Sequence, residues 1–252
     1  MDTVPAGDPI AVAAVEAIRE GRVQDLQALL GEHPWLATAR FGTTRESRTL
    51  LHVATDWPGH HPQVGATIAA LVAAGADVDA RFRGPHEETP LHWAASCDDV
   101  EAADALLDAG ADIEAPGAVL GGGAPIADAR GFKQWAVARR LLERGATTTL
   151  IDAATLGLDD RVADLLATEP APSAEEIDLA LWGACHGGRR GCAELLVARG
   201  ADVNRVPPWS DQSPWDAATA EGAHDLAQWL HERGARSTRP DTPDGAQSRR
   251  EG

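Results

Sequence analysis

Apolar positions along this 252-residue chain recur as a short phrase, a leucine and three further residues followed by Gly-Ala. The clear copies are LVAAGADVDA, LLDAGADIEA, LLERGATTTL, LVARGADVNR and LHERGARSTR, and two weaker copies, LLGEHPWLATA and LLATEPAPSAE, lack the Gly-Ala. The leading leucines are Leu29, Leu71, Leu106, Leu141, Leu165, Leu196 and Leu230. Their spacings of 42, 35, 35, 24, 31 and 34 residues indicate an array of similar units.

Each unit is predicted to be a pair of short helices. The phrases TLLHVA, TPLHWAA, APIADA and SPWDAA precede several of the leucines. In the third unit Thr89 can cap the first helix, and Pro90 at its first position loses no needed N–H group. Gly110 can end the second helix, because glycine tolerates the left-handed conformation that follows helices. Neither helix buries enough surface alone, so stacking of neighbouring units must supply the core.

The segment ETPLHWAASCDDVEAADALLDAGADIEA closely resembles an ankyrin repeat, and the resemblance extends over about residues 10–236. It implies an all-α fold, an ankyrin-repeat solenoid of six to seven helix-turn-helix units with extended β-hairpin or loop fingers. Residues 1–9 would form an N-terminal lead. Residues 237–252, which are polar and contain proline, are predicted to form a disordered C-terminal tail.

The charge balance argues against nucleic acid and anionic membranes as partners. With 39 acidic and 22 basic side chains, the formal net charge is −17, which repels phosphate groups. No apolar run reaches the roughly 20 residues of a membrane helix. Three cysteines without C-x-x-C spacing, and a start that does not resemble a signal peptide, predict a reducing, cytoplasmic location. Alanine, glycine and arginine usage suggests a bacterial chain, and we expect a monomer without a cofactor.

Two departures from the repeat pattern attract attention. The approaches RFGTTRESRTLLH, RFRGPHEETPLH and EAPGAVLGGGAPIA are longer than a usual ankyrin finger. In addition, TDWPGHHPQ inserts five residues between the two helices of the second unit, with a path restricted by Pro58 and Pro62. Long loops on a regular scaffold more often carry function than regular connections do.

The family resemblance implies which side chains line the concave groove, since positions just after the TPLH histidine face it. Applied here, this register gathers Asp56, Trp57, Trp93, Asp128, Phe132, Asp152 and His186 into one patch. The long fingers would close one side of it with His86, Glu87, Val119 and Leu120. The insertion would place His60 and His61 at the opposite lip.

Several of these residues also have structural interpretations. His52 and His92 occupy the TPLH position and are expected to bond backbone between neighbouring repeats. His60, His61 and His86 are of the residue type that binds zinc, but adjacent histidines diverge and no H-x-x-x-H pair exists, so no metal site is predicted. GAVLGGGAP lacks the G-K-[ST] ending of a phosphate loop.

Two functions remain open at this stage. The first is a binding protein whose acidic, tryptophan-bearing groove holds a protein or peptide partner through arginine or lysine side chains. The second is an enzyme or small-molecule-binding protein with acid–base chemistry, such as hydrolysis, elimination or isomerisation. Its catalytic candidates are Asp128, Asp152 and His186. Its ligand-binding candidates are Asp56, Trp57, His60, His86, Glu87, Trp93 and Phe132. The usual role of ankyrin repeats favours the first.

Overall fold

The computed structural model describes residues 3–5 and 7–238. Within these ranges the chain forms fourteen α-helices and one two-stranded β-hairpin, so the predicted all-α class is confirmed. The chain divides between Thr147 and Thr148 into two compact units.

The first unit contains four helix pairs and the hairpin. The pairs are α1 (Pro9–Arg19) with α2 (Val23–Glu32), α3 (Leu50–Ala54) with α4 (Val64–Ala73), α5 (Pro90–Ser96) with α6 (Val100–Asp108), and α7 (Pro125–Gly131) with α8 (Trp135–Glu143). A 3-10 turn at Pro34–Ala37 leads into strands β1 (Phe41–Gly42) and β2 (Ser47–Arg48).

The second unit contains three helix pairs. They are α9 (Leu150–Leu156) with α10 (Asp159–Leu166), α11 (Ala174–His186) with α12 (Arg190–Ala198), and α13 (Pro214–Ala220) with α14 (His224–His231). The described residues therefore hold seven pairs, the upper of the two predicted counts.

In the third helix pair, α5 and α6, local hydrogen bonds begin and end the helices where the sequence predicts. At the start of α5, the backbone N–H and hydroxyl of Thr89 contact Nδ1 of His92 at 3.1 and 2.9 Å. Gly110, with φ +92°, follows α6 and is in the left-handed region expected of a helix-ending glycine. Its N–H donates to the carbonyl of Leu107, which satisfies one of the carbonyls at the helix end.

The repeated leucines form the core. Those of the five Gly-Ala phrases are fully buried: Leu71, Leu106, Leu141, Leu196 and Leu230. In the two weaker copies, Leu29 and Leu165 are half-buried, and the next residues, Leu30 and Leu166, are buried instead. The register in these copies is therefore shifted by one residue from the prediction.

Three long connections of the first unit are linked by hydrogen bonds, and we call residues 40–49, 81–89 and 116–124 the first, second and third finger. Backbone bonds of 2.9 Å in both directions between Ser47 and Arg83 join the first finger to the second. The side chain of Arg81 donates to the carbonyls of Glu87 and Pro116 and joins the second to the third. Hydrogen bonds thus connect the three elongated fingers in sequence.

Ser237 and Thr238, which follow the predicted end of the repeats, bond to Asp216 of α13. The hydroxyl of Ser237 donates to Oδ1 of Asp216 at 2.6 Å, and the N–H of Thr238 donates to Oδ2 at 2.9 Å. The rest of the predicted tail, residues 239–252, lies outside the described residues.

Candidate functional site

Trp93, on α5, lies in an aromatic cluster of the first unit. Its ring centroid is 5.0 Å from that of His52 in an edge-on arrangement and 5.5 Å from that of Phe82. The guanidinium carbon of Arg48 lies 6.0 Å from the same ring, within cation–π distance. Trp93 is half-buried, so this predicted groove residue also packs against its own chain. We call Arg48, His52, Phe82 and Trp93 the Trp93 cluster.

Asp56 is paired within the chain. Arg48 Nη1 donates to Asp56 Oδ2 at 2.5 Å, and the two side chains are 33% and 26% exposed. Arg48 therefore contacts both Asp56 and Trp93. The sequence predicts that these two residues bind an arginine or lysine of a partner. A cation of this chain already occupies that position.

The connection between α3 and α4, residues 55–63, is nine residues long, whereas residues 97–99 suffice between α5 and α6. We call residues 55–63 the clamp loop. On one side the N–H of His60 donates to Asp99 Oδ2 at 2.6 Å, and its Nε2 lies 3.2 Å from the carbonyl oxygen of Cys97. His60 thus has a structural role in this geometry.

The other side of the clamp loop reaches the first helix pair. Gln63 Nε2 donates to the carbonyl of Gly21 at 2.9 Å. A Cβ on Gly21 would lie 2.4 Å from the carbonyl oxygen of Pro62, which shows how closely the two backbones approach. Trp57, which precedes both attachments in the same loop, is 81% exposed. The loop therefore holds a solvated tryptophan on a backbone that is bonded to two neighbouring helix pairs.

His61 is half-buried and its Nε2 is without a hydrogen-bond partner. Burial lowers its pKa, with Arg19 acting in the same direction and Asp99 and Asp56 opposing. Within the described residues, no group of three or more histidine, cysteine, aspartate or glutamate side chains is arranged to hold a metal ion.

Asp128, on α7, is a fully buried carboxyl group of the first unit. Its Oδ1 accepts from the N–H of Leu120 at 3.4 Å, and Oδ2 has no hydrogen-bond partner. Burial raises its pKa to about 7; the N–H groups of Leu120 and Val119 oppose the increase and the charge of Glu88 adds to it. The carboxyl group is therefore close to half-protonated at neutral pH.

Glu88, at the end of the second finger, is the acid that acts on Asp128. Its side chain is buried, and burial raises its pKa, whereas His86 and a hydrogen bond from Trp93 lower it. Sequence reasoning missed Glu88 and chose the exposed neighbours His86 and Glu87 instead. We call Glu88 and Asp128 the buried acid pair.

Phe132 follows α7 directly and is 44% exposed. With Trp57, which lies just beyond α3, it is one of the exposed large apolar side chains of the first unit. Both occur where the first helix of a pair ends, so the two side chains hold comparable places in their repeats.

Asp152 and His186 lie in the second unit and have other partners. The backbone N–H and hydroxyl of Thr149 donate to Asp152 Oδ2 at 2.9 and 2.5 Å, so Asp152 completes the capping box that Thr149 begins at the start of α9. It stands three residues after its cap, as His92 does after Thr89, and not at the Trp93 position that the sequence register assigned to it. The His186 ring stacks on Trp182 at 5.0 Å.

The two TPLH histidines have the predicted structural role. His52 Nε2 lies 3.1 Å from the carbonyl oxygen of Glu88, and His92 Nε2 lies 3.2 Å from that of Gly123. Since Nδ1 of each ring accepts a backbone N–H, Nε2 carries the proton and donates. Burial lowers the pKa of His52 to about 3 and that of His92 to about 4, so both rings are neutral at pH 7.

A depression of about 410 Å³ is present in the second unit, and none of the predicted site residues lines it. It is bordered by Gly188, Arg190, Gly222, Ala223, His224, Asp225 and Leu226. Arg190 is bonded there to Glu194 at 2.8 Å and to the carbonyl of Asp225 at 3.3 Å. The guanidinium group of Arg190 therefore already has hydrogen-bond partners within its own chain.

None of the helices in the described part of the chain is long and apolar enough to cross a membrane.

Comparison with known proteins agrees with the repeat architecture. The family described as ankyrin repeats (3 copies) matches residues 14–116. A crystal structure of the human ASB11 ankyrin repeat domain is similar to this chain, with 24% sequence identity and a TM-score of 0.54, covering 91% of this chain and 99% of that one. A search of the curated proteins finds no match. Residues 14–116 therefore match the ankyrin-repeat family, and the described part of the chain has the fold of an ankyrin-repeat solenoid.

Proposed function

We propose that this chain is a protein-interaction module that holds a peptide segment of a partner on the first unit, with Trp57 as the central anchor. Ankyrin repeats are generally protein-interaction modules. Fold alone is an analogy, so the proposal depends on the site itself.

The observation that carries the proposal is the exposure of Trp57 on a bonded loop. A tryptophan that is 81% exposed leaves a large apolar surface in water. Tryptophan is among the residues most often dominant in binding energy at interfaces. Because the clamp loop is hydrogen-bonded on both sides, little conformational entropy would be lost when Trp57 packs against a partner.

Charge suggests the chemistry of the partner. The chain carries a net charge of −17, which favours a basic segment through long-range attraction. Arg48 already lies over Trp93, so the partner's aromatic contact is proposed at Trp57, with Phe132 as a further exposed apolar side chain of the first unit.

Peptide selection on the purified chain tests the proposal. A random displayed-peptide library would be selected, and the Kd of an enriched peptide measured by calorimetry for the parent, Trp57→Ala and Trp209→Ala. Trp209 is a matched control, since it is 52% exposed and lies in the second unit. We expect Trp57→Ala to weaken binding by about 30-fold, corresponding to roughly 2 kcal/mol for a dominant tryptophan.

Trp209→Ala should leave the Kd unchanged, and both variants should have the same melting temperature as the parent. Equal affinity of Trp57→Ala and parent, or a library without enriched peptides, would contradict the proposal.

An acid–base enzyme is a second candidate, favoured by the pKa of Asp128 near 7, a value suited to proton transfer. Two of its proposed catalytic groups are engaged elsewhere, with Asp152 capping a helix and His186 stacked on Trp182. Binding is therefore the better supported function. A hydrolase screen of the parent and Asp128→Asn tests the enzyme hypothesis. An activity present in the parent and lost in that variant would make the enzyme the better supported function.

A further inference from the structure

The buried acid pair is an electrostatic anomaly in the first unit. Asp128 is fully buried, with one carboxylate oxygen that has no hydrogen-bond partner. Glu88 is 9% exposed and is close enough for its charge to raise the pKa of Asp128. Two acids removed from water repel each other when both are ionised, unless a cation or a proton lies between them.

Among the described residues, the cations that act on Asp128 and Glu88 do not offset the effect of burial on these acids. Arg130 lowers the pKa of Asp128, but less than the other influences on that group. His86 lowers the pKa of Glu88, yet the net shift remains upward. Arg81 is bonded to finger carbonyls instead. A buried, unsatisfied carboxylate oxygen is costly, and it is the chemical complement of a cationic N–H donor.

The third finger contacts the Asp128 side of the pair. Gly117 N–H donates to the carbonyl of Gly122 at 3.0 Å and Ala118 N–H donates to that of Gly123 at 2.9 Å, which folds residues 117–123 into a tight loop. The amide of Leu120 in this loop faces Asp128 Oδ1 at 3.4 Å, a weak hydrogen bond.

The tip of this loop is loosely packed. Gly121 and Gly122 at its tip are exposed, and a Cβ on either would meet nothing within 4 Å. Leu120 anchors the loop against Gly131 of α7. The buried Ala118 and the bond between His92 Nε2 and the carbonyl of Gly123 hold its two ends, so opening of the loop would move its tip, residues 119–122, away from Asp128.

We propose that Asp128 and Glu88 form a closed site for one cationic side chain, a lysine ammonium or an arginine guanidinium, and that residues 117–123 are its lid. The proposal rests on the proposed function, because the cation would belong to the peptide that the first unit holds. Binding would give Asp128 Oδ2 its missing donor and neutralise the repulsion between the two acids. Trp57 and the acid pair would then recognise different side chains of one segment.

Cation binding is coupled to release of a proton. Burial raises the pKa of Asp128 to about 7, so the acid is mostly neutral at pH 6 and mostly ionised at pH 8. Affinity for a cation should increase roughly ninefold over this interval, following the ionised fraction from about 0.1 to about 0.9.

The test uses single-residue probes on the full chain. N-acetyl-arginine amide and N-acetyl-lysine amide would be titrated at pH 6 and pH 8, with uncharged N-acetyl-citrulline amide as the control probe. The amide NMR signal of Leu120 reports on the lid. Asp128→Asn and Glu88→Gln each remove one acid of the pair, and Glu87→Gln makes the same charge change on an exposed neighbour.

We expect at least one cationic probe to shift the Leu120 signal, with an affinity that rises from pH 6 to pH 8 and no effect of citrulline. Each variant of the pair should weaken binding about tenfold or more, as loss of one partner of a buried charge contact does, and Glu87→Gln should change it less than about twofold. Two variants are used so that misfolding of one, seen as an altered spectrum, leaves the other to decide.

Equal binding by Glu88→Gln, Asp128→Asn and Glu87→Gln would overturn the inference, and so would a Leu120 signal that responds to pH but to neither cationic probe. These failures differ from failure of the proposed function. If a selected peptide needs Trp57 but binds Asp128→Asn and Glu88→Gln as it binds the parent, the interaction module stands and the cation site does not. If the amide probes bind but no peptide is enriched, the cation site stands and the interaction module does not.

Discussion

At the scale of single residues, the first unit buries titratable groups whose effects on stability run in opposite directions. The pKa values of His52 and His92 are lowered to about 3 and 4. Their contribution to stability is present above the unfolded pKa of about 6.5 and is lost as the pH falls toward the folded values. The raised pKa of Asp128 acts in the other sense, and stability is lost as the pH rises toward 7.

Asp128→Asn isolates the effect of this carboxyl group. The unfolded chain ionises Asp128 near pH 4, whereas the folded chain ionises it at about 7, so the parent becomes less stable relative to the variant between these values. From pH 5 to pH 8 the difference should change by about 3 kcal/mol in favour of the variant, at about 1.4 kcal/mol per pKa unit. Urea unfolding of both proteins at the two pH values measures it.

Glu87→Gln is the control for this measurement, since Glu87 is exposed and its loss should give no comparable pH dependence. The histidine contributions cancel because parent and variant share them. A difference that stays constant between pH 5 and pH 8 would show that Asp128 is ionised throughout.

At the scale of elements, the clamp loop shows how an irregular segment becomes ordered. Its histidine and glutamine side chains reach backbone groups of the next and the preceding helix pair. Asp99 Oδ2 receives the N–H of His60, while its Oδ1 caps α6 through the N–H of Ala102. One aspartate thus connects the loop to a helix start.

Gly59→Ala should destabilise the chain while Trp57→Ala should not. Gly59 has φ +74°, and a Cβ there would lie 2.8 Å from the Cβ of Cys97, so alanine is both strained and crowded. We expect a loss of about 1–3 kcal/mol in the free energy of unfolding for Gly59→Ala. Trp57→Ala should stay within about 0.5 kcal/mol, as exposed positions do.

Urea unfolding measures both effects, and hydrogen exchange at the His60 amide shows whether the loop itself has loosened. An unchanged exchange rate in Gly59→Ala would contradict the description of the loop as a tightly packed clamp.

At the scale of the whole molecule, acidic side chains outnumber basic ones by 39 to 22. Local networks relieve part of the repulsion. Asp104 lies 2.8 Å from Arg140 and 2.7 Å from Arg144, and these arginines lower its pKa. Such partly exposed pairs contribute little each, so the excess negative charge remains the larger effect.

Added salt should therefore stabilise the chain. Raising NaCl from 10 to 150 mM shortens the screening length from about 30 to about 8 Å, which weakens repulsion across the molecule more than it weakens contacts at 3 Å. We expect the free energy of unfolding to rise by roughly 1 kcal/mol, measured by urea unfolding. An equal osmolarity of sucrose is the control, and a fall in stability with salt would mean that the local ion pairs dominate.

Much of the fold follows from short-range patterns. Thr89 with His92, Ser173 with Glu176, and Gly110 act within three or four residues of the helix ends they define, so their spacing suffices to predict them. Asp152 carried a similar signal, since Thr149 precedes it at the same spacing. The predicted groove register nevertheless placed Asp152 at the Trp93 position. A residue of a helix cap was therefore predicted to be catalytic.

The sequence by itself determined the repeats, the helix limits of the third unit, the Gly-Ala turns and the structural role of the TPLH histidines, because these depend on contacts between near neighbours or on the repeat itself. Only the tertiary structure decided that Arg48 contacts both Asp56 and Trp93. It also decided that His60 bonds to Asp99 and Cys97. The burial of Asp128 near Glu88 is a third contact of this kind. These contacts depend on the paths of long fingers and of the clamp loop. Such paths follow no helical or strand period, so residue spacing does not reveal which distant groups meet.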